Sequence, residues 1–149
     1  MDSYVIGGTS PIVVQAASDA RKYLSAAKSL FSGVAVLAQE AAGTRLACTI
    51  LAGTVLEYAL KAHLASVGYS ANRLNHPPFG ADLEALWFEA ATHGLDVPAK
   101  PPRWCSGLND RHGEKFPIHE PMSGAPEPSD LLLLTADLAA LLALVNKMV

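Results

Sequence analysis

The densest run of chemically capable side chains in this 149-residue sequence lies between Trp104 and Pro121. Arg111 and Lys115 are cations of the kind that hold a phosphate. His112 and His119 are imidazoles able to carry a proton near neutral pH. Such groups are usually presented on a loop carried by a rigid scaffold, although polar residues collect in any surface loop. Cys105, beside Trp104, offers a nucleophile with a nearby histidine as its base; a buried thiol without chemistry is the simpler account. His112 and His119 with Asp110 or Glu114 would be the place to look for a metal. No two histidines in the chain have the four-residue spacing that sets both on one helix face, so neither a metal nor another cofactor is expected. Upstream, Glu57 precedes Lys61 by four residues, the favourable order for a pair along a helix; Glu57 could instead line a cleft between helices.

Composition narrows the setting. Half of the residues are apolar, which excludes a disordered chain, and the length suits one domain with a real core. A net charge of −3 leaves no footprint of the kind duplex DNA binders carry. Two distant cysteines exclude a zinc site of cysteine pairs and make a disulfide framework unexpected. The start, Met1-Asp2-Ser3-Tyr4, has no basic residue before Arg21, unlike a secretory signal, so a cytoplasmic location is expected. The run Leu131 to Val145 is short for a membrane span and contains Asp137; it reads as a buried helix, with no membrane partner. Gly7-Gly8 lacks the Lys-Ser/Thr of a phosphate loop.

The elements that must position these residues read as helices throughout. After a loose leader at 1–9, residues 10–149 form a single domain. Ser10-Pro11 is a helix start, and Ile12, Ala16, Ala20, Tyr23, Leu24 and Ala27 keep helical spacing to about Phe31, with Gly33 ending or interrupting the helix. A second helix lies between Val34 and Val67, secure from Thr44, and closes at Gly68. A third covers Ala81 to His93 with Leu83, Leu86 and Trp87 inward. A short one fits Arg103 to Arg111, and the last runs from Asp130 to Met148 behind a Ser129 cap. The prolines from Pro117 to Pro128 leave no room for a helix there. The expected fold is therefore all-α, an up-and-down bundle of four to five helices. The last helix is apolar on every side, as is much of the second. Either a central helix is wrapped by its own neighbours, or a second copy covers the excess; a homodimer is the expectation.

The stretch Leu51 to Gly68, with Glu57 and then Leu60-Lys61 on an apolar helix, resembles the pattern of HEPN domains. Asp82-Leu83-Glu84-Ala85-Leu86 is similar to the next helix of that family, and Leu108-Asn109 through Pro121 to the stretch that follows. The resemblance implies a helical bundle, usually dimeric, that binds nucleotide or RNA, as part of a toxin–antitoxin or defence pair with a nucleotidyltransferase as the possible partner. It places the catalytic candidates at Arg111, His112 and His119, and ligand contacts at Asn109, Lys115 and Glu57. Active members are metal-independent ribonucleases with a fixed arginine-to-histidine spacing of about four to six residues. Here Arg111 is followed at once by His112, and His119 comes seven intervening residues later. Binding rather than cleavage is thus expected. A non-catalytic module for dimerisation or partner docking is the alternative.

Overall fold

A computed structural model describes residues 11–39, 44–110, 112 and 128–149, with side chains from residue 14 and, in the last helix, from residue 131. The leader, Ser10, Gly43, Arg111, Glu114, Lys115 and His119 lie outside the described residues. Among the described residues there are six helices and no strand: α1 (Pro11–Leu37), α2 (Arg45–Ser66), α3 (Ala71–Leu74), α4 (Leu83–Thr92), α5 (Arg103–Asn109) and α6 (Pro128–Met148). One apolar cluster takes residues from all six.

α1 and α2 pack side by side in opposite directions. Moving backwards along α1 and forwards along α2, Leu37 meets Thr44, Val34 meets Cys48, Gly33 meets Leu51 and Tyr23 meets Tyr58. The α1 stripe Ala16, Ala20, Leu24, Ala27 and Val34 is buried, at the three- and four-residue spacing that keeps a row on one helix face. Gly33, expected to end the first helix, lies inside it. Glycine costs a helix interior about 1 kcal/mol. Here the cost is met by burial of Val34 one residue on and by the approach of Leu51, whose Cδ2 would lie 2.7 Å from a β-carbon at position 33.

α2 is the central helix. Every residue from Ala59 to Ala65 is buried, and α1, α4, α5 and α6 all pack against it. From Ala59 to Ala65 its apolarity is thus accounted for within one chain, while Ile50 nearer its start is 47% exposed. It ends on a Schellman turn: the Tyr69 amide donates to the Leu64 carbonyl and the Gly68 amide to that of Ala65, with Gly68 at φ +109°. α4 closes the same way, Leu95 donating to the Ala90 carbonyl and Gly94 at φ +97°. The one-turn α3, absent from the expected four to five helices, is held by the Ser70 side chain accepting from the Arg73 amide.

α6 differs from α2. Leu131, Leu134, Leu138, Leu141, Leu142 and Val145 are buried against the bundle, while Leu132 and Leu133 are 58% and 55% exposed on its outer side. Among the described residues, Leu131–Met148 is the one stretch long and apolar enough, by length and composition, to cross a membrane. It holds Asp137, and 33% of it is buried inside this chain. α1 is tied to it where Lys28 Nζ donates to Asn146 Oδ1 at 2.5 Å.

Candidate functional site

Gly53, Glu57 and Lys61 are spaced by four residues and form one row along α2. Helix packing turns this row toward the end of α5 and toward the turn after α3. There Glu57 binds two side chains at once. Its Oε1 receives His112 Nε2 at 2.6 Å, and its Oε2 receives Lys61 Nζ at 2.6 Å. Lys61, only 1% exposed, gives a second hydrogen bond to Asn75 Oδ1 at 2.7 Å. The Asn75 amide then donates to the Tyr23 hydroxyl at 3.4 Å. A lysine this buried requires such partners, because an unpaired ammonium in an apolar interior is very costly.

Burial would raise the Glu57 carboxyl. The hydrogen bonds and charges of His112 and Lys61 outweigh it and hold the group below the usual carboxylate range. An ionised carboxylate only accepts, so Nε2 of His112 carries the proton. The other ring nitrogen, Nδ1, rests against α2 at Gly53, and His112 is 8% exposed. A general base must reach a substrate proton with a free nitrogen. In this arrangement Nε2 of His112 is committed to Glu57, and the ring clamps residue 112 onto α2.

Beside this network the rings of Tyr23 and Tyr58 meet at 5.9 Å and 42°. With Asp19, Lys22, Ala26 and Ala71 they line a recess of about 330 Å³. The combination of paired aromatic rings with a lysine at the edge can stack a planar base and hold an anion.

The remaining candidates fall elsewhere. Asn109 serves the start of α4: its Oδ1 accepts from the Leu83 amide at 2.8 Å, while its amide donates to Asp82 at 3.3 Å and Glu84 at 3.2 Å. Asp82 itself caps α4 through the Ala85 amide. Glu57 and His112 are brought together; Arg111, Lys115 and His119 lie outside the described residues. Cys105 is no nucleophile. Burial first, then the charges of Glu84 and Asp82, push its thiol up to about 12. Among the described residues no group of three or more His, Cys, Asp or Glu side chains is arranged for a metal. Tyr23, Tyr58 and Asn75 were not expected at the site. Asn75 lies in a connection without periodicity, and Tyr23 read as one more position in the helical row of α1.

Compared with protein-family models, curated proteins and solved structures, the chain gives no match. The site must therefore be argued from its own geometry.

Proposed function

We propose that this chain is a HEPN-like cytoplasmic domain that binds a nucleotide or short RNA, as one half of a toxin–antitoxin or defence pair. The observation that carries the reading is the 2.6 Å bond between His112 and Glu57. It joins, across 55 positions, the two segments on which the resemblance stands: the Glu-x-x-x-Lys helix and the Arg-His stretch after α5. The Tyr23–Tyr58 recess alongside supplies a stacking surface, with Lys22 as the anion contact. Arg111, next to the anchored His112, is the natural phosphate ligand, with Lys115 as a second. With Nε2 of His112 committed to Glu57, binding is favoured over cleavage, and His119 is the candidate base if RNA is cut.

Titration with nucleoside mono- and triphosphates and a short single-stranded RNA, read as thermal shift, tests the proposal. A native-state ligand raises the midpoint, and Tyr58→Ala with Lys22→Ala lowers affinity by about tenfold or more. No shift with any of them overturns it. Incubating metal-free protein with RNA beside Arg111→Ala and His119→Ala tests cleavage; equal cleavage by all three rules it out. A nucleotidyltransferase partner would co-purify when its reading frame is expressed with this one.

A second reading, a dimerisation or partner-docking module, is favoured by Leu132 and Leu133 on the outer side of α6. The two readings are compatible in a homodimer.

A further inference from the structure

Away from the α2 network, α4, α5, α6 and the connection at 97–102 line an open-sided pocket of about 320 Å³. That lies within the usual range for small-molecule sites. Two of its walls are the indoles of Trp87 and Trp104, set edge to face with centroids 6.3 Å apart at 86°. Both indole N–H groups are already engaged: Trp87 Nε1 donates to the Pro98 carbonyl and Trp104 Nε1 to Asp137 Oδ2, each at 2.8 Å. The rings are held fixed, 4% and 6% exposed, and the carbon they show the pocket is apolar, their donors being spent elsewhere. Pro98, Pro102 and Leu141 complete an apolar lining.

Asp137, the one acid in the apolar stretch of α6, is the acidic group in that lining. Its Oδ2 takes the Trp104 N–H, and among the described residues no cation is within ion-pairing distance of it. A carboxylate against apolar walls gains most from a cation brought by a ligand. Lys100 stands exposed at the edge of the cavity and repels any second positive charge.

We propose that this cavity binds a small organic monoamine, its ammonium on Asp137 and its apolar, preferably aromatic, body between the indoles and the prolines. The site is independent of the α2 network.

The chain's two tryptophans are both in the cavity wall, so selectively excited indole fluorescence reports on this site alone. The experiment titrates the full chain with 2-phenylethylamine, the neutral 2-phenylethanol, phenylacetate and spermidine. A saturable change with the amine is expected, with the alcohol, the acid and the polyamine each weaker by about tenfold or more. Asp137→Asn keeps an acceptor for the Trp104 N–H and removes the charge; it should lose the amine response while the thermal midpoint of the free protein holds. Should that variant not fold, Ala140→Arg, at an exposed position one turn along α6, places a cation in the cavity and should block the amine. Equal binding of amine and alcohol, unchanged amine binding in either variant, or no saturable response overturns the proposal.

Discussion

His112 lies so close to Gly53 that a β-carbon on residue 53 would sit 2.6 Å from its Nδ1. The glycine is therefore a seat for the imidazole, and the Glu57–His112 bond depends on it.

Gly53→Ala separates two opposing effects. Alanine favours the helix by about 1 kcal/mol, but the ring must leave, and losing a charge-assisted hydrogen bond costs about 1.5–3 kcal/mol. We expect net destabilisation by denaturant melts. In a His112→Ala background the clash is gone, so the same substitution should become neutral or stabilising. Destabilisation of equal size in both backgrounds would refute the seat.

Glu57→Gln leaves Lys61 buried without its counter-charge and should cost about 3 kcal/mol. The carboxyl is held below its ordinary value in the folded chain. Its stabilising contribution is thus complete above the unfolded value of about 4.3 and is lost as pH falls through the folded one. Melting temperatures measured down through the acid range should fall less steeply in the variant than in the wild type.

His63 makes a second, milder pH dependence. It is fully buried, with Nε2 at 3.0 Å from the His93 carbonyl and Nδ1 without a hydrogen-bond partner. Burial, partly offset by that carbonyl, lowers its affinity for a proton. The contribution is present above the unfolded value of about 6.5 and is lost as pH drops toward the folded one. Stability should decline from pH 7.5 to 5.5, and His63→Gln should flatten that slope. An unchanged slope in the variant would assign it to another group.

Cys48 and Cys105 are both buried, and burial raises both thiols. The native protein should resist alkylation near pH 8 under conditions that modify the urea-unfolded chain completely, as mass spectrometry would read. Rapid labelling of Cys105 in the folded state would contradict its position.

The outer side of α6 gives an assembly test. Leu132→Asp with Leu133→Asp alters exposed side chains and should leave the monomer fold intact. If a second copy covers this side, light scattering should show a wild-type dimer and a monomeric variant. A monomer in both would leave the face to a different partner.

The helical elements were legible wherever burial followed a helical period or a glycine needed a positive φ. Gly68 and Gly94 marked real ends because their turns demand a left-handed residue. Gly33 misled for the opposite reason: what decides it is contact with Leu51, across a connection whose geometry no local rule supplies. α3 is too short to show a period. At the site, Glu57 and Lys61 were readable as a pair four residues apart, but their third member is 55 positions from Glu57. Asn109 shows the limit most clearly. Its residue type suits a ligand contact, and only the fold reveals that it completes the amide bonding of α4, 26 positions away.

The place of α2 at the centre also bears on how the chain is made. α1 and α2 emerge from synthesis early and can pair at once, yet the flank of α2 that α6 covers stays bare until more than sixty further residues have been added. At ribosomal rates that interval lasts several seconds. During it an apolar groove faces the solvent, and the helix that will fill it has not yet been made. The nascent chain should therefore be a strong client for holdase chaperones, whatever the finished protein binds.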